Sequence, residues 1–241
     1  MGVGNSLVQN REAKLTFEYE TNGEKVKLSP ATVRNYLVSG GGNVSDQEVM
    51  MFMTLCKYQH LNPFLREAYL IKYGTSPATI VTGKDVFTKR ARMQADYAGK
   101  KSGIIVVDDQ GNVIEREGTF YLPTERLVGG WAKIYIKGYD TPEYMSVAFE
   151  EYVGKKKDGT VNEQWTKKPA TMIRKVAVVQ ALREAFPDTF KGLYSQEEIQ
   201  GVSDIVLDDA VIDVQPVEES QDQQQPDMTE SSDSVQQALF G

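Results

Sequence analysis

The segment from Trp165 to Tyr194 constrains the fold most, because it predicts one long helix with a buried face. Pro169 suits the first helical turn, and a rotation of about 100° per residue places four apolar residues on one stripe: Met172, Val176, Val179 and Phe186. Arg183 falls inside the same stripe. A guanidinium there needs a partner, which is either the phosphate of an anionic polymer or an internal carboxylate, unless the side chain snorkels to solvent.

Basic residues surround the start of this helix. Lys167 and Lys168 precede Pro169, and Arg174 with Lys175 lies on one flank. Trp165 adds an aromatic ring beside them. The arrangement indicates a ligand such as an anionic polymer, and the alternative is an ordinary solvated face.

The two ends of the chain differ in charge. The whole sequence has 27 basic and 34 acidic residues, a net charge of −7. Residues 201–241 contain ten acidic residues and no Lys or Arg, so residues 1–200 carry a net charge of +3. This asymmetry fits a phosphate-binding folded part with an acidic appendage.

The composition is typical of a single domain with one sizeable core. Cys56 is the only cysteine, lies in a helical run, and is predicted to be a small buried hydrophobe. A chain that forms no internal disulfide suits a reducing compartment. We find no signal-peptide pattern and no apolar run of about 18 residues, so the sequence predicts a cytoplasmic protein in a bacterial host.

The element pattern predicts an α+β fold, in which helices pack around a small antiparallel β-sheet. Ser45 and Glu48 form a capping box for a helix ending near His60, and Thr82 with Asp85 starts a helix to about Tyr97. Strands are predicted at residues 68–73, 78–81, 104–107, 113–117, 127–137 and 144–149. The predicted organisation is a flexible arm at 1–28, a core at 29–200, and a disordered acidic tail at 201–241.

Few residues offer covalent or metal chemistry. His60 is the only histidine, which excludes a Ser-His-Asp triad and a His pair within one chain, and a structural role is expected for it. No phosphate-binding G-x-x-x-x-G-K-[ST] loop occurs. A carboxylate two-metal nuclease site stays open, although Asp108 and Asp109 are better explained by a turn. The sequence predicts no catalytic residue, metal or cofactor.

One strand has a pattern suited to nucleic acid. Its period of two puts Trp131, Lys133, Tyr135 and Lys137 on one face. Aromatic rings can stack on bases while ammonium groups meet phosphates. The alternative is an amphipathic strand with a solvated face. Other basic groups are found on the third helix and in a later loop, and these are Lys84, Lys89, Arg90, Arg92, Lys155, Lys156 and Lys157.

Two long blocks of sequence resemble the phage RecT/Redβ single-strand annealing proteins. The first is CKYQHLNPFLREAY, from Cys56 to Tyr69, followed by a hairpin and GKDVF from Gly83. The second is the segment from Trp165 to Tyr194, and the resemblance covers roughly residues 45–198. It implies ATP-independent annealing of complementary strands, ring or helical-filament homo-oligomers, and a partner exonuclease.

The resemblance also implies which residues bind DNA. By matched position it points to Arg66 and to the basic helix with Arg174, Lys175 and Arg183. The sequence departs from some members at Lys167 and Lys168, and its tail lacks the long helical C-terminal domain of the lambda-type protein.

The predicted interface is a basic groove in an oligomer that holds single-stranded DNA and the nascent duplex. Its DNA-binding residues are Arg66, Lys72, Lys84, Arg90, Lys133, Lys137, Lys167, Lys168, Arg174, Lys175 and Arg183, with base or sugar contacts from Tyr69, Trp131, Tyr135 and Trp165. The predicted function is annealing for homologous recombination. A passive single-strand binder and a metal-dependent nuclease are the alternatives.

The acidic tail ends in an apolar group that includes Leu239 and Phe240. An apolar end on a polar tether is suited to docking in a groove of another protein. We expect Leu239 and Phe240 to bind a phage exonuclease or the single-strand DNA-binding protein of the host, and the alternative is a terminus without a partner.

Overall fold

The computed structural model describes residues 15–156 and 158–199. The strands are β1 (Phe17–Thr21), β2 (Glu24–Leu28), β3 (Val38–Ser39), β4 (Ala68–Ile71), β5 (Thr79–Thr82), β6 (Tyr97–Val107), β7 (Val113–Glu117), β8 (Arg126–Ile136) and β9 (Glu143–Ala148). The α-helices are α1 (Pro30–Thr32), α2 (Asp46–Tyr58), α3 (Lys84–Met93), α4 (Phe149–Tyr152), α5 (Glu163–Lys167), α6 (Pro169–Ala185) and α7 (Pro187–Phe190). A π-helical turn (Val33–Leu37) and two 3₁₀ turns (Pro63–Leu65 and Gln196–Glu198) complete the elements.

The described strands form three sheets, and the mixture of helices and sheets confirms the α+β prediction. The largest sheet has the order β7-β6-β8-β9, and all its neighbours are antiparallel. The expectation of one small antiparallel sheet needs correction, because β1 and β2 form a separate ribbon and β3 pairs parallel with β4. Helix α2 lies between β3 and β4 in the chain, which provides the crossover that a parallel pair requires.

The N-terminal segment contains a hairpin where the sequence predicted a flexible arm. Strands β1 and β2 turn at Asn22 and Gly23, which have φ of 52° and 81°. Positive φ at both turn positions is typical of an Asn-Gly type I′ hairpin. The Tyr19 hydroxyl donates to Leu61 O at 2.7 Å, so the hairpin is fixed to the end of α2. Residues 1–14 lie outside the described chain.

Helix α2 begins at the predicted capping box. Glu48 N donates to Ser45 Oγ at 3.2 Å, and Ser45 N donates to Glu48 Oε2 at 2.8 Å. The other oxygen of Glu48 accepts from Lys72 Nζ and from Ala78 N, both at 2.7 Å. Glu48 therefore connects the start of α2 to the hairpin of β4 and β5.

The long helix α6 packs on the large sheet, along β8, β9 and β6. Its backbone comes so close to β8 that a Cβ atom added to Gly130 would lie 2.6 Å from Ile173 O. Glycine is required at this point because any side chain would push the helix away from the sheet. Ile173 and Val176 of this helix are fully buried.

Two element boundaries differ from the prediction by more than two residues. Helix α3 ends at Met93 and not near Tyr97, and β6 begins at Tyr97, well before Ile104. The reason is pairing across the sheet, since Tyr97 lies opposite Ile136 of β8. This extension places Lys100 and Lys101 in a strand. Cys56 is fully buried, in agreement with its prediction, and His60 Nδ1 lies 3.0 Å from Glu20 O at the hairpin contact.

The contacts of Glu48 predict a pH dependence of stability. The hydrogen bond from Lys72, followed by those from Ser45 and Ala78, lowers the pKa of Glu48 from 4.5 to about 2. A carboxylate with a depressed pKa in the folded state stabilises the protein above its unfolded pKa, and this stabilisation decreases as pH falls from 4.5 toward about 2.

We expect the difference in unfolding free energy between the wild type and Glu48→Gln to be largest above pH 5 and to shrink across that window. Urea unfolding at a series of pH values measures it. Glu143→Gln, on an exposed residue of β9, serves as the control. Parallel pH profiles for wild type and Glu48→Gln would contradict the assignment.

Candidate nucleic-acid interface

Three cationic side chains from three elements lie near one another on the helix-covered side of the large sheet. They are Arg92 of α3, Lys100 of β6 and Arg174 of α6. Lys100 Nζ donates to Thr88 Oγ1 at 3.2 Å, and Arg174 Nε donates to Ser102 Oγ at 3.0 Å. Both acceptors are neutral. We call Arg92, Lys100 and Arg174 the cation cluster.

The strand register explains how the cluster forms. Side chains alternate along β6, so Lys100 and Ser102 share a face with Ile104, which is fully buried. Helices α3 and α6 pack on β6 and on each other. The cluster therefore lies where two helices meet a strand, with Lys100 half-buried and Arg92 exposed.

Burial and repulsion between like charges both disfavour the charged form of Lys100. Burial lowers the pKa of Lys100, and the positive charges of Arg174 and Arg92 lower it further, whereas Asp85 acts in the opposite direction. Across the described residues, no member of the cluster forms an ion pair with a carboxylate. An arriving anion would relieve this repulsion, and a phosphate is the anion that arginine and lysine donors suit best.

Arg183, which the sequence predicted to bind DNA, is occupied by an internal partner. Its guanidinium donates to both oxygens of Glu198, at 2.6 and 2.8 Å, and to Leu193 O at 2.9 Å. It also lies over the Tyr194 ring, 5.1 Å from the centroid. The Glu198 side chain is only 5% exposed. The structure therefore supports the internal-carboxylate alternative: Arg183 holds the last 3₁₀ turn on α6.

Two lysines that the sequence predicted to bind DNA are also held in ion pairs, and the carboxylate of each pair is little exposed. Lys72 Nζ lies 2.7 Å from Glu48 Oε1, and Lys175 pairs with Glu197, whose side chain is 1% exposed. Their charges are neutralised by carboxylates that the fold places there. A phosphate at either lysine would have to displace its carboxylate, which argues against these two positions as part of a DNA-binding groove.

Arg90 is also held by hydrogen bonds within the protein. Its guanidinium donates to the Gln59 backbone and side-chain oxygens, and Thr189 O accepts at 3.5 Å. Burial lowers its pKa. It borders a cavity of about 540 Å³ lined by groups of both signs that include Glu67, Asp188 and Lys89. A lining of mixed charge does not suit a phosphate chain.

Strand β8 has the predicted alternation of side chains, but the face that carries Trp131 is covered by other side chains of the same sheet. Trp131 is 5% exposed, and Lys133 Nζ lies over its ring at 5.1 Å and over the Tyr144 ring at 5.3 Å. Lys133 also lies 3.7 Å from Glu115. This face is opposite the cation cluster, so Lys133 and Arg174 do not line one groove. Tyr135 is half-buried on the same face as Trp131.

The other aromatic candidates are inside the fold. Trp165 is 1% exposed and packs edge-on against Phe149, with ring centroids 5.5 Å apart. Tyr69 is 3% exposed, and the Arg66 guanidinium lies 5.9 Å from its ring centroid. The burial of Trp165, Trp131 and Tyr69 argues against the expectation that these rings contact bases, since a buried ring has no face open to stacking.

The remaining predicted cations are exposed, apart from Arg66, which is half-buried. Lys84 and Lys168 are exposed at the starts of α3 and α6, Lys167 pairs with Glu163, and Lys137 donates to Ala95 O at 2.7 Å. Arg66 has φ of 59° after the first 3₁₀ turn. The predicted docking residues Leu239 and Phe240 lie outside the described part of the chain.

Sequence reasoning missed Lys100 as a candidate site residue and gave Arg92 no role beyond its basic helix. The signal for Lys100 was a lysine in the inward register of a strand, since Ser102 and Ile104 follow at the spacing of two. That signal was hidden because the strand was predicted to begin only at Ile104.

Comparison with protein families agrees with the resemblance seen in the sequence. The family model described as the RecT family matches residues 25–210. An uncharacterized protein of Ureaplasma parvum serovar 3 is 33% identical over 147 residues, which are 60% of this chain. The chain spans 57% of the length of that relative. In the described part, none of the helices is long and apolar enough to cross a membrane, and no group of three potential ligands could hold a metal ion.

The ion pair of Arg183 predicts a loss of stability without a loss of DNA affinity. We expect Arg183→Met to lower the free energy of unfolding by roughly 2–3 kcal/mol, a value reduced for the partial exposure of Arg183, because Glu198 is left unpaired. Urea unfolding measures the loss, and Lys191→Met on an exposed residue is the control. A variant of normal stability with weakened DNA binding would instead return Arg183 to the interface.

Proposed function

The chain belongs to the RecT family, and on that premise we propose that it anneals complementary single strands of DNA in homologous recombination without using ATP. The family match carries the proposal. The cation cluster supports it, because it is a group of cations suited to phosphate that forms no ion pair with a carboxylate among the described residues.

Arg92, Lys100 and Arg174 form the centre of the proposed interface. Arg92 and Arg174 provide guanidinium donors, and Lys100 adds a positive charge that a phosphate would stabilise. Exposed cations at the starts of α3 and α6, Lys84 and Lys168, extend the surface on either side. Contacts of this kind are made to the DNA backbone and do not depend on base sequence.

The proposed mechanism requires only that repulsion between two strands is reduced while their bases stay accessible. Cations that meet phosphates release condensed counterions and offset the repulsion. The burial of Trp131 and Trp165 fits this requirement, because a passive single-strand binder commonly stacks bases on exposed aromatic rings. Base pairing then supplies the sequence matching, and no covalent catalysis is needed.

Further parts of the proposal concern assembly and partners. We propose that the protein acts as a homo-oligomer, a ring or a helical filament, so that successive sites hold one strand and then the annealed duplex. A phage exonuclease or a host single-strand DNA-binding protein is the proposed partner, docked by the segment with Leu239 and Phe240. The proposed annealing core is the folded chain from β1 to the last 3₁₀ turn, with the acidic tail beyond it.

An annealing assay tests the function directly. Two complementary oligonucleotides, one labelled with a fluorophore and one with a quencher, are mixed with the protein in the absence of ATP and metal ions. We expect pairing to become faster than for the DNA alone. Slower pairing would support a passive binder, and shortened strands after addition of Mg²⁺ would support a nuclease.

Removal of a single cation from the cluster tests the interface. We expect Arg174→Gln or Lys100→Gln to weaken binding of single-stranded DNA and to reduce the slope of log K against log salt by about 0.7 per lost phosphate contact. Thermal stability should stay equal or rise, since like charges are separated. Lys27→Gln makes the same change of charge on the exposed hairpin and should leave the slope unchanged. An unchanged slope for both cluster variants would place the DNA elsewhere.

A further inference from the structure

The segment that follows the described chain has the opposite charge to the cation cluster. Residues 201–241 contain ten acidic side chains and no Lys or Arg, and the first of them is Asp204. The cluster is a group of cations without a carboxylate ion pair among the described residues. The two features are complementary in charge and belong to one molecule.

The last described turn is attached to the helix that carries the cluster. Glu197 pairs with Lys175, and Glu198 pairs with Arg183, so two consecutive acidic residues already neutralise two cations of α6. Lys175 directly follows Arg174 in the chain. The next acidic residues of the sequence therefore begin from a point fixed to α6.

The connecting chain is long enough for Asp204 and later carboxylates to reach the cluster. Asp204 is the fifth residue after Ile199, the last described residue, and an extended chain over those five steps spans about 17 Å. The later acidic residues are distributed as far as Asp233. A tethered segment of this length has an effective concentration in the millimolar range, so even weak ion pairs would be populated.

We propose that the acidic segment from Asp204 to Asp233 occupies the cation cluster of its own chain when DNA is absent, and that single-stranded DNA binds by displacing it. The displacement of the segment by DNA rests on the proposed function, whereas the contact between the segment and the cluster does not. DNA displaces the segment because its phosphates are spaced more densely than the ten carboxylates. Anionic ligands that bind the cluster more weakly than DNA does would therefore fail to displace the segment.

A crosslinking experiment without DNA tests the contact. A water-soluble carbodiimide activates a carboxylate, and the Lys100 amine attacks it to form an amide with net loss of water. Treatment of the full chain at low salt should link Lys100 to residues 204–233, as seen by mass spectrometry of the digested protein. Lys27, which is exposed on the hairpin, is the internal control.

Mixing ¹⁵N-labelled with unlabelled protein separates links within a chain from links between chains. We expect links within one chain that disappear at high salt. Equal yields at Lys100 and Lys27, links only between chains, or no link to the segment would overturn the proposal.

DNA binding provides a second readout on the full-length chain. In a variant with all ten acidic residues of 201–241 changed to Asn or Gln, we expect single-stranded DNA to bind about three- to tenfold more tightly at low salt. The difference should vanish when Arg174→Gln is added, because the competed site is then lost. Equal affinity of the neutral-tail variant and the wild type would overturn the competition.

The two proposals fail in different ways. If neither the wild type nor the neutral-tail variant binds DNA, the proposed function is wrong, and the crosslink to Lys100 still decides whether the segment occupies the cluster. If both bind DNA equally and no crosslink forms, the function stands and the inference about the segment falls.

Discussion

The close packing of α6 on strand β8 is the contact on which the remaining structure depends. Gly130 has no side chain, and an added Cβ would lie 2.6 Å from Ile173 O, so the helix backbone rests directly on the sheet. This packing sets Arg174 beside Ser102 of β6, close enough to Lys100 for its charge to lower the pKa of that lysine. Further along the same helix, Arg183 reaches the turn that contains Glu198. One helix therefore carries both a structural arginine and a cation of the proposed interface.

Pairing with carboxylates distinguishes these two kinds of cation. Lys72, Lys175 and Arg183 have acidic partners with little exposure, and in each case the pair connects two elements of the chain. An ion pair whose partners are held in place by the fold stabilises the protein more than a mobile pair at the surface does. The cluster of Arg92, Lys100 and Arg174 lacks such partners within the described residues, and its repulsion is unfavourable for folding. Unfavourable electrostatics retained at one place are typical of a binding site.

The aromatic residues show why a strand pattern was a poor guide to the interface. Alternation correctly placed Trp131 and Lys133 on one face, yet it could not show that Trp131 lies under Lys133 with 5% of its surface exposed. The ring occupies space left free by Gly103, since a Cβ there would lie 2.8 Å from its indole nitrogen. Whether a face is filled or open depends on the neighbouring strands. That information is absent from any single strand.

Local chemistry determined much of the fold from the sequence alone. The capping box at Ser45 and Glu48, the hairpin of β4 and β5 and the long helix after Pro169 follow from hydrogen bonding and periodicity within short segments, and the family resemblance follows from two continuous blocks. Tertiary structure decided which cations are available to a ligand. Ion pairs such as Arg183 with Glu198 form only where the packing of a turn on a helix brings the two side chains together. It also assembled the candidate site, since Arg92, Lys100 and Arg174 come near one another only when two helices cover one strand. A Coulomb interaction depends on distance in space and not on separation in the sequence.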